Sequence, residues 1–111
     1  MKRSLQAFKA DFFRALAHPV RIQILELLGT GEHSVQELQE GLGLEQPIVS
    51  QQLAVLRGKN IVLPRKLGTT VRYTLSDPLI TKLLLVAREI FNNHLVDSQT
   101  MLKELQREKR G

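Results

Sequence analysis

The sequence predicts a mainly α-helical chain carrying one small β-hairpin, an α+β fold with the element order α-α-α-α-β-β-α. Apolar residues recur at three- and four-residue spacing through most of the 111 residues, the period of one helix face. The period shifts to two at Ile61 and Leu63, and again at Val71, Tyr73 and Leu75, which is the alternation of strands. Gly29, Gly31, Gly41 and Gly43 punctuate the helical part.

Ser4 caps a first helix whose Leu5, Phe8, Phe12 and Leu16 form one apolar stripe that must bury against something. The neighbouring Phe13 joins this group as core or dimer packing. Pro19, after His18, suits the first turn of a second helix, where a missing N–H costs nothing, and Ile22, Ile24, Leu25 and Leu28 form its buried side. His33-Ser34 opens a short third helix with Val35 and Leu38 facing inward. A fourth helix spans about 45–57, tolerating Pro47 in its first turn and burying Val49, Leu53 and Leu56. Its outward face carries Gln46, Ser50, Gln51 and Arg57.

The hairpin covers about 61–76, with Leu67-Gly68-Thr69-Thr70 at its tip and Pro64 suited to an edge strand. Its wet face holds Arg65, Lys66, Thr69, Thr70, Arg72 and Thr74. Asp77-Pro78 then starts a final helix of about 78–106, roughly 40 Å at 1.5 Å per residue. That length exceeds what a small domain covers, so its seam of Ile80, Leu84, Ala87, Phe91, Leu95, Leu102 and Leu105 is expected to pair with a second copy. Residues 1–106 are read as one domain and 107–111 as a charged tail.

Composition removes whole classes of function. The chain has no cysteine, so disulfides, thiolate metal sites and cysteine nucleophiles are excluded. No apolar run approaches the length of a membrane span and the N-terminus lacks a signal-peptide core, which predicts a cytoplasmic protein without a membrane partner. A glycine-rich phosphate loop is absent, and Glu32 beside His33 is too little for a catalytic constellation, so no enzyme and no cofactor are expected.

Charge is local. Residues 46–76 hold Arg57, Lys59, Arg65, Lys66 and Arg72 and no acidic residue, while the other eighty balance at eleven basic against eleven acidic. A cationic helix-plus-hairpin suits a polyanion, and a helix followed by a basic hairpin reads as a winged helix-turn-helix on double-stranded DNA. Gln46 and Gln51 each donate and accept through one amide, the chemistry of adenine edges, and Ser50 is short enough for close approach. Arg65, Lys66 and Arg72 are expected on phosphate, where they set register.

FRALAHPVRIQILELL, SVQELQEGLGLEQPIVSQQLAVLRGKNIV and the RKLGTTVRYTLSDP hairpin resemble the ArsR/SmtB-type bacterial repressors along nearly the whole chain. The resemblance implies a homodimer through the first and last helices, with Leu5, Phe8, Phe12, Ile80, Leu84, Ala87, Phe91, Leu95 and Leu102 at the interface. It implies repression from a palindromic operator until an effector releases the protein. Base contacts carry over onto Gln46, Pro47, Ser50 and Gln51, and backbone contacts onto Val35 and Gln36, with Arg57, Lys59 and the wing residues in support. Gln52 departs from the histidine of many relatives.

The ligand sets depart further. The family's Cys-Val-Cys falls on Ser34-Val35-Gln36, and its second site falls on Asp77, Leu79, Ile90 and Asn93, of which only the aspartate is a ligand type. His94 and Asp97, one turn apart, are either a polar rim or half of a displaced metal site across a dimer. The effector is therefore open between a small molecule and a regulatory partner protein, and in the second case the last helix is chiefly a protein-interaction module.

Overall fold

The computed structural model describes residues 4–110. Five helices and three strands follow in the order α1 (Leu5–Leu16), α2 (Pro19–Leu28), β1 (His33–Ser34), α3 (Val35–Leu42), α4 (Gln46–Gly58), β2 (Val62–Leu67), β3 (Thr70–Leu75) and α5 (Leu79–Arg110). The chain divides into two compact units, 1–81 and 82–111, the second being the remainder of α5.

Local chemistry explains the boundaries in the first unit. Ser4 Oγ accepts from the Ala7 N–H at the start of α1, and His18 Nδ1 accepts from Val20 N–H at the start of α2. Each takes up one of the donors that a helix start leaves unpaired. Arg21 returns from α2 to donate to the Ala15 carbonyl at 2.8 Å, satisfying an acceptor at the end of α1. α3 opens with a reciprocal pair: Ser34 Oγ accepts from Glu37 N–H at 3.2 Å and Glu37 Oε1 accepts from Ser34 N–H at 3.0 Å. Gly43, at φ 66°, ends it in the left-handed region and turns the chain into α4.

α4 ends on a residue whose type suits a left-handed cap. Asn60 takes the left-handed conformation, φ 58°, so that its N–H reaches the Arg57 carbonyl while Ile61 N–H reaches that of Leu56. Those two bonds, with Leu56 and Ile61 both buried, form a Schellman motif.

The core of this unit is built from Ile24, Leu25 and Leu28 of α2, Leu38 of α3, Val49, Leu53 and Leu56 of α4, and Ile61 and Val62. α2, α3 and α4 pack on one another, and the sheet closes one side. Two inward assignments change. Ile61 and Val62 are the buried pair at the start of the hairpin, whereas Leu63 is 45% exposed, because the alternation begins one residue later than the apolar spacing suggests. Ile80, expected at a dimer interface, is 6% exposed and belongs to the core.

The sheet has three strands, not two. β1 pairs antiparallel with β3, His33 opposite Tyr73 and Ser34 opposite Arg72, and the order is β1-β3-β2. His33-Ser34 is thus a strand before the helix rather than its first turn, and Ser34 serves as both strand end and helix cap. Pro64 lies on β2, an edge strand, where its missing donor is harmless. Gly68, at φ 65°, is the first of two residues linking Leu67 to Thr70, the position that such a tight hairpin turn assigns to glycine. The arrangement α3, turn, α4, hairpin is a winged helix-turn-helix.

α5 begins with Asp77 Oδ1 accepting from Leu79 N–H at 2.9 Å. It spans 32 residues, about 48 Å, and continues past 106 through the residues expected as a tail. Gly111 lies outside the described residues. No helix among the described residues is long and apolar enough to cross a membrane.

Candidate nucleic-acid interface

α4 is anchored by Val49, Leu53 and Leu56, which leaves the opposite side of the helix outward. Gln46, Pro47 and Gln51 are exposed there and Ser50 is half-buried. Gln46 Nε2 donates to Ser50 Oγ at 2.6 Å, so the two side chains present one joined surface: an amide oxygen, an amide N–H and a hydroxyl proton remain for an outside partner. Gln52 sits on the inner flank, half-buried, with an Oε1 that has no hydrogen-bond partner among the described residues. This departure from the family pattern therefore lies off the outward face.

At the other end of α4, Arg57 and Lys59 are exposed, and on the wing so are Arg65, Lys66, Thr69 and Thr70. Val35 is half-buried and Gln36 exposed at the start of α3, Gln36 donating to Glu40 at 3.4 Å. Between α4 and β3 lies an open cleft of about 360 Å³, with Ser50, Ala54 and Arg57 along the helix side and Tyr73 on the strand side.

The wing arginines are not all equivalent. Arg72 is only 26% exposed at the side chain. Its Nε lies 2.8 Å from Glu32 Oε1, one terminal nitrogen 2.8 Å from Glu37 Oε1, and the other donates to the Glu32 carbonyl at 3.0 Å. Each nitrogen of that guanidinium has a partner within the fold, and one N–H on each terminal nitrogen remains, so Arg72 is less available to phosphate than its place on the wing suggests. Arg65 donates to the same Glu32 from Nε at 3.3 Å and from a terminal nitrogen at 2.7 Å, but its side chain is largely exposed. These hydrogen bonds, Arg65's first, hold the Glu32 carboxyl below its ordinary pKa against the opposing effect of burial, and they raise that of Arg65. Glu37 is also lowered, chiefly by the Ser34 N–H, against the opposing effect of burial, and then by the Ser34 hydroxyl and Arg72.

The stretch without acidic residues is thus partly neutralised by carboxylates that precede it. Glu32 and Glu37 are the residues that sequence reasoning missed. The S-x-x-E spelling of Ser34 to Glu37 is a readable capping signal, but nothing local points Glu32 at a strand that begins almost forty residues later. No ion pair among the described residues holds Arg57, Lys59 or Lys66.

A model of the family described as "Bacterial regulatory protein, arsR family" matches residues 18–63, from the α2 cap into β2. The HTH-type transcriptional regulator Rv0081 of Mycobacterium tuberculosis is 44% identical over 102 residues, 91% of this chain and 90% of its own. The chain belongs to the arsR family. The crystal structure of Rv0081 overlays on this arsR-family chain with TM-score 0.78, covering 87% of it and 98% of that chain. The transcriptional repressor BigR of Xylella fastidiosa overlays with TM-score 0.72 at 36% identity, covering 78% and 88%. A homodimeric winged helix-turn-helix DNA-binding domain from Mycobacterium bovis, 26% identical, does so with TM-score 0.72, covering 85% and 91%.

The metal sites that the family implies do not fit the residues of this arsR-family protein. Asp77 is engaged as the α5 cap, and Leu79, Ile90 and Asn93 offer no ligand. Among the described residues no three His, Cys, Asp or Glu side chains gather to hold an ion, and His94 with Asp97 forms an exposed pair on α5. His18 and His33 are engaged otherwise, one as a cap and the other 3.3 Å from Thr30 Oγ1.

Proposed function

We propose that this chain is a homodimeric transcriptional repressor that reads an inverted-repeat operator with α4 and is released by an effector or a partner protein. The observation that carries the reading is the outward face of α4, where the joined Gln46–Ser50 pair and Gln51 are flanked by cations with no internal ion pair at Arg57 and Lys59. A helix presents amides and hydroxyls to base edges in the major groove, while flanking cations take phosphates. Lys66, Thr69 and Thr70 at the wing tip add backbone contacts, as do Val35 and Gln36.

Pairing with a second copy is supported by exposed apolar side chains on α1, Leu5, Phe8, Phe12 and Phe13, and separately along α5. On α5, Phe91, Leu95 and Leu102 are each about 60% exposed in the single chain. A contiguous apolar face of that kind on a soluble protein marks an interaction surface. In a two-fold dimer the two α4 helices would lie about 34 Å apart, one DNA turn.

The test is selection of bound duplexes from a random pool, followed by titration of selected and random duplex at several salt concentrations. The reading requires a selected sequence with two-fold symmetry, bound at least about a thousandfold more tightly than random DNA. Equal affinity for all sequences, or affinity that salt leaves unchanged, would overturn it. The version in which α5 answers to a partner protein is favoured if a co-purified protein, rather than a metal or metabolite, changes operator affinity.

A further inference from the structure

Glu32 lies outside the hairpin, just ahead of β1, yet its carboxylate joins two hairpin strands: Arg65 belongs to β2 and Arg72 to β3. Arg72 passes the link on to Glu37 Oε1, the same oxygen that accepts the Ser34 N–H at the start of α3. Arg65 stands opposite Arg72, and Arg72 opposite Ser34, so these links run straight across the three strands. One continuous chain of charge-assisted hydrogen bonds therefore connects the outer edge of the wing to the first turn of the helix-turn-helix. Bonds of this kind are shorter and stronger than neutral ones.

The geometry at Arg65 has a second consequence. Glu32 occupies Nε and one terminal nitrogen, the edge of the guanidinium fork that also suits a phosphate. A DNA phosphate reaching that edge has to displace the carboxylate. We infer that Glu32 is a positioning and specificity residue: it holds the wing in a fixed attitude to α3 and withholds Arg65 from phosphates met at random, lowering non-specific affinity more than operator affinity. This rests on the DNA-reading function proposed above, and takes it to a residue that touches no base.

Glu32→Gln keeps the size and removes the charge, and two measurements on the full-length protein decide the matter. The first is backbone amide exchange in the absence of DNA. Exchange is expected to quicken across β2 and β3 while the amides of α2 and α4 keep their protection; an unchanged wing overturns the positioning role. The second is titration of random and selected duplexes against salt. Random-duplex affinity is expected to rise about tenfold at low salt, its log–log slope steepening by about 0.9 for one added phosphate contact, with the selected-to-random ratio falling. Glu26→Gln, on α2, changes net charge equally and is expected to do neither. A Glu26→Gln effect as large as that of Glu32→Gln overturns the inference, as does a random-duplex slope that stays flat or shrinks in Glu32→Gln. Adding Arg65→Gln to Glu32→Gln is expected to remove the extra slope; persistence assigns the effect to another cation and overturns it too. Should the unsubstituted protein bind no duplex, the functional reading fails, while the exchange data still decide whether Glu32 holds the wing.

Discussion

Gly43 sets the turn between α3 and α4, and its replacement gives a prediction whose size follows from the backbone. At φ 66° a residue with a Cβ sits in the left-handed region, which costs about 1–2 kcal/mol for an L-residue. Alanine also narrows the unfolded ensemble, returning about 0.4–1 kcal/mol. A Cβ built at Gly43 meets nothing within 4 Å, so no clash adds to the cost and no contact reduces it. The net loss expected for Gly43→Ala is about 1 kcal/mol, a fall in melting temperature of about 4–8 °C for a unit of this size. Gly43→Asn is expected to recover part of it, because asparagine tolerates the left-handed region. Gly41→Ala provides the contrast: there the added Cβ would come 2.7 Å from Leu27 Cδ2, and moving that side-chain end offsets a helix-propensity gain of about 1 kcal/mol, leaving stability nearly unchanged. Calorimetric or circular-dichroism melting checks all three. A Gly43→Ala protein that melts at or above the unsubstituted one, or an asparagine no better than alanine, refutes the reasoning.

Gln51→Ala is expected to weaken selected operator by about 1–3 kcal/mol and random duplex hardly at all, since Gln51 is assigned to a base edge; equal losses by titration would show that another face of α4 reads the DNA. Lys66→Ala is expected to flatten the salt slope by about 0.9, whereas Arg72→Ala, its nitrogens already committed, should act by speeding amide exchange in the wing. Glu32 and Glu37 titrate below their ordinary value of 4.5 in the folded protein, so their stabilising contribution is complete above that value and is lost as pH falls through the lowered folded pKa. Wing amide protection, corrected for intrinsic exchange, should thus hold at neutral pH and collapse in the acid range below about 4.5, and a wing that tightens on acidification would contradict the pairing. Phe91→Glu is expected to give monomers by sedimentation equilibrium; an unchanged dimer would place the interface elsewhere.

The helical part of the fold was legible because its signals are short-range. Val49, Leu53 and Leu56 are spaced by the helix period and all are buried, and His18-Pro19 and Asp77-Pro78 lie at helix starts, where their chemistry puts them. β1 was not legible. Two residues carry no alternation, and His33-Ser34 becomes a strand only because β3 arrives beside it. The hairpin register at Leu63 is hidden for a related reason: with Ile61, Val62 and Leu63 all apolar, spacing alone does not say which two are inside. Ile80 belongs to the same class, since a seam along a helix does not reveal where core gives way to exposed surface.

The same distinction between local and long-range signals holds at the site. A count of charges along a segment treats each Lys and Arg as available, and by that measure Arg72 and Lys66 are equal. In the folded chain they are not: the wing folds back on Glu32 and Glu37, which engages every nitrogen of Arg72 and one edge of Arg65, while Lys66, Lys59 and Arg57 keep their charge for an outside partner. Electrostatic attraction to DNA then falls to fewer cations than the sequence displays, and rigidity is gained in exchange. For a protein that must prefer one site over a great excess of others, the ratio of operator to random affinity matters more than either affinity alone. Internal pairing of arginines lowers the sequence-independent part while holding in place the groups that discriminate, so Glu32, just ahead of the helix-turn-helix, and Glu37, in its first turn, are part of how it selects.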